Sequence, residues 1–488
     1  MKVRDFLRHW SVGSNENYPT FRLLTLVLSS IEEERRRSPQ ATLNTHPGEG
    51  ITSLYENIKF AFLFLFVWLT SVAEAQSMFR GNAAHTGTYE GVAPREFHRV
   101  KWKFPTGARV VGSPVMQDKV IYFGSDDGNV YAVDAESGQQ IWKTATRGPV
   151  PCTPAIDHGM VYVGSYDGKF YALDAQSGAV KWKFATEGER RFEAKGIHGW
   201  QPKTQTFADA FDVFLSSPAV VDGAVYFGSG DGNLYSLDSN SGELRWKFKT
   251  RDVVHASPAV VNAVAFFGSW DSYFYAVDVG NGKERWRYHA GEDPLIHNQV
   301  GFQSSPAVVD GVVYTGCRDA KLYALDATTR KEKWKFDNAL SWVITSPAVV
   351  DGKVYFATSD SSLYHVVEAG TGKPILKQED KAFIFSSPTV TNDVVFIGVL
   401  NGSLEARDRN SGELLWEFQT ETSKQNANWI LTAERRFNVP LFFFDSWREA
   451  PVVSADRQFA IGAIFSSPLV ANGVVYFGST DGFLYALE

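Results

Sequence analysis

From about residue 113 onward, short runs of alternating apolar and polar residues follow one another, broken by Asp-Gly, Asn-Gly and Ser-Gly pairs. One stretch shows the form. Ser217-Pro218-Ala219-Val220-Val221 is followed by an Asp-Gly pair, then Ala224-Val225-Tyr226-Phe227-Gly228-Ser229 and a second Asp-Gly. Asn233 to Asp238 comes next, then a Ser-Gly pair and Glu243 to Phe248. Period-two alternation marks half-buried strands, and Asp-Gly supplies the positive φ that tight hairpins need. The unit reads as four antiparallel strands.

The unit recurs. A Ser/Thr-Pro pair stands at Pro114, Pro154, Pro218, Pro258, Pro306, Pro347, Pro388 and Pro468, with successive gaps of 40, 64, 40, 48, 41, 41 and 80. Ten residues after each proline stands Gly124, Gly164, Gly228, Gly268, Gly316, Ala357, Gly398 or Gly478. Thirteen after it stands Asp127, Asp167, Asp231, Asp271, Asp319, Asp360, Asn401 or Asp481. Seventeen after it stands Tyr131, Tyr171, Tyr235, Tyr275, Tyr323, Tyr364, Glu405 or Tyr485. A period near 40 with four strands per unit predicts an all-β, eight-bladed β-propeller of four-stranded antiparallel blades. A ninth unit would fit the gap of 80 by length, but residues 421–464 lack the tyrosine, Asp-Gly and tryptophan register.

Trp142, Trp182, Trp246, Trp286, Trp334 and Trp416 fall at one position of the fourth strand, with Leu376 in their place in the sixth unit, which carries one extra residue. They are expected to staple neighbouring blades by burying large apolar rings. The eighth unit stops at Glu488 without a fourth strand. Val100-Lys101-Trp102-Lys103-Phe104 at the other end matches the missing pattern, so the N-terminal strand, with Trp102 as its staple, should complete the last blade and remove a free edge.

Residues 58–75 change the picture of the N-terminus. Lys59, the apolar run Phe60 to Val72 and the small-x-small triplet Ala73-Glu74-Ala75 form a signal peptide, too short to span a bilayer comfortably. Export to the periplasm or the outside follows, with no stable membrane span after cleavage. Residues 1–57 precede this signal and leave two readings: an extension that is not translated, with a start near Ile51, Leu54 or Ile58, or the tail of a signal anchor. The expected organisation is then a lead-in at 76–99 and the propeller at 100–488, with insertions at 187–214, 291–303 and 421–464.

Lys+Arg 48 against Asp+Glu 55 gives a net charge of −7, which argues against nucleic acid as a partner. Cys152 and Cys317 fall in different units and form no CxxC pair; they read as buried core thiols. The chain is expected to be a monomer.

The run Ala172-Leu173-Asp174 through Gly178 to Trp182 resembles the tryptophan-docking motif of quinoprotein alcohol dehydrogenases, and eight such units are similar to outer-membrane assembly factors of the BamB type. Met78-Phe79-Arg80-Gly81-Asn82 with His85-Thr86-Gly87 resembles the opening of secreted proteins with these pyrroloquinoline-quinone (PQQ) repeats. The resemblance implies the propeller fold but not one activity. The dehydrogenases hold PQQ with an adjacent-cysteine disulfide and Ca²⁺. Cys152 and Cys317 are not adjacent, so PQQ with Ca²⁺ is not supported and no cofactor, metal or catalytic residue is expected.

The aspartate column reads as turn chemistry. Candidate chemistry lies instead in the three lengthened joints, which share one face with it. Arg190, His198 and Trp200 stand in the first, His297, Asn298 and Gln299 in the second, and Arg435, Trp447, Arg448 and Glu449 in the third. Arginine, histidine and aromatic side chains on loops of a rigid scaffold are the material of a binding site. The expectation is a non-catalytic envelope scaffold that binds a protein partner or a ligand there. The alternatives are a quinoprotein dehydrogenase with an altered site, and a polymer- or small-molecule-binding module.

Overall fold

The computed structural model describes residues 76–195, 204–291, 301–339, 341–438 and 450–488. The expected extension at 1–57 and the expected signal peptide at 58–75 therefore lie outside the described residues. Eight four-stranded antiparallel sheets are present. In blade 3, Ala219–Val221, Ala224–Gly228, Asn233–Asp238 and Leu244–Lys249 pair in sequence order from the innermost strand outward. Blades 1 to 7 share this order, and the innermost strands of neighbouring blades lie side by side, as 219–221 does with 155–157 and 259–261. Blade 8 is composite. Leu469–Ala471, Val474–Gly478 and Phe483–Leu487 are completed by Val100–Pro105, with Trp102 opposite Ala486 and Phe104 opposite Leu484. The expected closure by the N-terminal strand is observed.

The Ser/Thr-Pro pairs have a physical reason. The backbone N–H of Ser113 donates to the Thr153 hydroxyl, that of Thr153 to Ser217, and so on through Ser257, Ser305, Ser346, Ser387 and Ser467 back to Ser113, at 2.8–3.1 Å. Eight hydroxyls thus form a closed belt of hydrogen bonds around the axis, one per blade. An innermost strand would otherwise leave these N–H groups unpaired at the channel, where each buried donor needs an acceptor.

The tryptophans join blades on the outside. Each indole N–H donates to a backbone carbonyl of the next blade at 2.8–3.0 Å: Trp102 to Ala135, Trp142 to Ala175, Trp182 to Ser239, Trp246 to Val279, Trp286 to Ala327 and Trp334 to Ala369. Trp416 donates instead to the Pro94 carbonyl of the lead-in, whose Val92 carbonyl accepts from Gly473 N–H of blade 8. Gly242 shows why a glycine closes this turn in six blades, Arg330 taking the same left-handed position in blade 5. The φ of Gly242 is +73°, and a Cβ there would lie 2.6 Å from the Trp182 ring.

In six blades the turn aspartate accepts from the phenol four residues on, as Asp231 does from Tyr235 at 2.6 Å, and also from its own turn, as from the Asn233 N–H. Blade 6 corrects the register read from sequence. Its extra residue falls in the second turn, so Ala357 pairs with Tyr364 where Gly316 pairs with Leu322. His365, not Tyr364, takes the tyrosine's place, stacked 5.0 Å from Phe356.

The lead-in lines the channel. Backbone N–H groups of Met116, Ile156, Val260, Val308, Val349 and Val390, on the innermost strands of blades 1, 2, 4, 5, 6 and 7, donate to carbonyls of Gln76, Ser77, Ala83, Ala84, Thr86 and Gly87. Gln76 also donates its side-chain amide to the Val470 carbonyl of blade 8. The 421–464 joint carries two helices, α1 (Glu421–Asn426) and α2 (Ala450–Ala460), with an isolated bridge between Leu431 and Phe437, and adds no blade among the described residues.

Candidate functional site

The joints between blades and the aspartate turns lie on one face, because the turn aspartates accept from joint backbone: Asp231 from Glu187 N–H at 2.9 Å and Asp271 from Arg251 N–H at 3.0 Å. At its centre a small axial cavity of about 50 Å³ is lined by Phe214, Ile344, Phe385 and Phe465, by His255 and Gln303, and by the hydroxyl belt, with Phe79 of the lead-in also on its wall. Aromatic side chains thus surround a polar interior.

Two buried polar clusters pin the first insertion to this mouth. His255 Nδ1 lies 2.7 Å from Asp212 and its Nε2 2.9 Å from Glu189, with all three side chains buried. Glu189 accepts in turn from Ser229, and Asp212 from the Phe192 N–H. Burial alone would depress the His255 pKa, but the two carboxylates outweigh it and hold it up at about 10. At neutral pH the imidazole is a cation with both N–H groups committed, so it clamps the loop and is not poised as a base. Tyr166 meets it edge-on at 6.3 Å.

The second cluster is a stack. The Arg318 guanidinium lies 4.1 Å from the Trp270 ring and 4.2 Å from the Trp342 ring, and Trp270 stacks on Phe192 at 4.3 Å. Asp209 accepts from Arg318 at 2.6 Å, and Gln303 accepts from it at 2.7 and 3.0 Å. A planar cation between two indoles, paired with a carboxylate, satisfies its charge without water.

Of the ten candidate binding residues, two lie in the described regions. Arg190 pairs with Asp252 at 2.8 Å. Arg435 donates to the Asn401 carbonyl at 2.8 Å and to Ser423 at 2.6 Å, tying the third insertion to the blade 7 turn and to α1. His198, Trp200, His297, Asn298, Gln299, Trp447, Arg448 and Glu449 lie outside the described residues. Trp429 of the third insertion stands 54% exposed.

Tyr166, Trp270 and Arg318 all fall twelve residues after a Ser/Thr-Pro proline, directly before the aspartate column. That variable column beside a constant one was the available signal. His255 and Gln303 stand three residues before their prolines, in a second variable column that faces the axis. Neither column is set by the composition of the long joints, so the joints alone do not point to them.

Cys152 and Cys317 are free and buried, and burial pushes the Cys152 thiol up to about 12. No group of three or more His, Cys, Asp or Glu with metal-binding geometry occurs among the described residues, and no described helix is long and apolar enough to cross a membrane.

Comparison with known proteins follows the fold. A family model described as outer membrane protein assembly factor BamB matches residues 95–193, 190–335 and 318–437. No curated protein sequence matches the chain. Among solved structures, BamB from Moraxella catarrhalis is 16% identical, with 80% of this chain and 99% of that chain covered and a TM-score of 0.58. A europium-containing methanol dehydrogenase is 15% identical, covering 85% and 92% with a TM-score of 0.62. The quinohemoprotein alcohol dehydrogenase from Comamonas testosteroni is 15% identical, covering 86% and 82% with a TM-score of 0.61. At such identities the likeness shows the fold alone. The family match spans more than half of the chain, and with its eight closed blades this protein belongs to the family of the outer membrane protein assembly factor BamB, the PQQ-repeat β-propellers.

Proposed function

We propose that this protein is an exported, non-catalytic scaffold of the cell envelope that binds a protein partner on the face carrying the long joints. The observation that carries the reading is the commitment of that face's charged groups to structure. His255, Arg318, Arg190 and Arg435 each hold an insertion against a blade, which pre-organises a surface rather than a reaction centre. Exposed Trp429 is the kind of aromatic anchor such interfaces use. A periplasmic or extracellular location and a monomeric state belong to the same proposal.

A quinoprotein reading finds less support. The two cysteines are buried and stand in different blades, and the indoles of Trp270 and Trp342 enclose an arginine of the protein itself. The residues present therefore do not fit PQQ held by a cysteine pair with Ca²⁺. The aromatic-lined axial cavity favours, as a second reading, a small-molecule ligand at the mouth.

The test is exchange of residues 421–464 for a short joint of the blade 1 type. The partner co-purifying with the native protein should be lost from this variant and kept by one altered in the Ser-Gly turns of the opposite face. Retention after the joint exchange, or dye-linked alcohol oxidation on loading with PQQ and Ca²⁺, would overturn the proposal.

A further inference from the structure

The interface between blades 6 and 7 departs from the repeat at three positions that meet in space. Glu405 stands in the tyrosine column, and Arg407 stands in a column that is valine or leucine in every other blade, as at Leu237. Asp380 follows the fourth strand of blade 6, where five blades carry a threonine such as Thr250. The other blades are built without this trio, so the fold itself does not require the charges.

All three side chains are buried. Arg407 Nη2 lies against the Glu405 carboxylate and 3.5 Å from that of Asp380. Its Nη1 donates to Gln378 at 2.7 Å and to the Gly412 carbonyl at 3.2 Å. The two carboxyl groups are within hydrogen-bonding reach of each other. One guanidinium answers one carboxylate, so ionising both leaves a negative charge uncompensated away from water. A proton is therefore held between them. Burial, with the Asp380 carboxylate adding to it, raises Glu405 to about 8.

The neighbouring charges are already spent. Glu417, opposite Glu405 across the ladder, accepts from Lys381 at 2.6 Å. Arg409 pairs with Asp351 at 2.6 Å, and burial keeps the Tyr364 phenol neutral.

The residues beside Asp380 hold the third insertion. Glu379 accepts from Arg436 at 2.6 Å, and Glu417, the partner of Lys381, is the carboxylate that acts on Arg435. Phe383 meets Phe437 edge-on at 4.8 Å. Within the insertion, Thr432 N–H donates to the Arg436 carbonyl and Asn438 N–H to that of Ile430, both at 2.7 Å. So short a loop keeps such bonds closed only while it is packed.

We propose that the proton shared by Asp380 and Glu405 is a latch: residues 430–438 are held against blades 6 and 7 while it is bound and are released when it leaves. Its loss sets two carboxylates against one guanidinium. Moving residues 379–383, which carry the insertion's contacts, relieves that repulsion. The folded Glu405 lies above its ordinary 4.5, so the latch is whole below 4.5 and is lost as pH rises through 8.

The test is hydrogen exchange of the full chain, read by mass spectrometry from pH 6 to pH 9 and corrected for intrinsic base catalysis. Segment 430–438 should lose protection about ten-fold over that range, while the blade 3 strand 244–249 keeps its own. Glu405→Gln removes the ionisation and should hold the segment within about two-fold at every pH. Asp380→Asn removes the same charge from the other side, should do likewise, and covers a failure of E405Q to fold. The latch is overturned if the parent segment stays protected to pH 9. It is equally overturned if folded E405Q or D380N loses protection like the parent, or if 244–249 loses it in step. The exchange reads the insertion and not a partner, so failure of the latch and failure of the docking reading are separate results.

Discussion

Arg318 and Asp209 meet at 2.6 Å with both side chains wholly inaccessible to solvent, so the first insertion is joined to blade 5 by an ion pair that water does not reach. Two indole faces close over the cation. Removing the carboxylate leaves a buried charge without its counter-ion, which costs about 3–5 kcal/mol. Asp209→Asn should lose that much in denaturant melts. The double variant Asp209→Asn with Arg318→Met should lose less than the two single variants summed, because the pair is one unit.

Trp246→Ala should cost about 3–5 kcal/mol, as other large-to-small changes in packed sites do. The ring packs 5.9 Å from Tyr226, and the indole N–H is bonded to blade 4. A loss below about 1 kcal/mol in equilibrium unfolding would show that the fourth-strand tryptophan is not a staple.

The His255 clamp makes a signed pH prediction. Its folded pKa of about 10 lies above the ordinary 6.5, so its contribution is fully present below pH 6.5 and is lost as pH rises through 10. His255→Gln should flatten the melting temperature against pH over that window. It should also speed proteolysis within 187–214 at neutral pH.

Glu405 gives a second, separable slope. It occupies the tyrosine position of blade 7, buried beside Asp380 and paired with Arg407. Burial, reinforced by the Asp380 carboxylate, pushes Glu405 up to about 8. Its stabilising effect is whole below the ordinary 4.5 and is lost as pH rises through 8. Glu405→Gln keeps the shape without the charge and should remove the loss of stability between pH 5 and 8. An unchanged profile would place the titration elsewhere.

Deletion of residues 76–105 should open the ring twice over. The third strand of blade 8 loses its partner, and six innermost strands lose the carbonyls their N–H groups use. The truncated chain should aggregate or lose cooperative unfolding, as read by light scattering and denaturant melts.

The repeat was legible because it is local. Alternation, Asp-Gly turns and the 40-residue register state the four strands and count the blades, since each hairpin is set by neighbours along the chain. The composite eighth blade was legible for the same reason: Trp102 carries a fourth-strand pattern that the C-terminus lacks. Register failed once, at His365, because an inserted residue shifts a turn without changing composition.

What the chain's order conceals, the closed ring decides. Ser113 and Ser467 bond to each other only because eight blades close. Arg318 finds Asp209 across 109 residues and Trp342 on its other face, and His255 finds Glu189 across 66. None of these pairs has a spacing rule, because their partners come from loops on different blades. The sequence by itself therefore determined the blades and their number. Only the tertiary structure decided which charges of the loop-bearing face are buried and paired, because burial and pairing belong to three-dimensional neighbours.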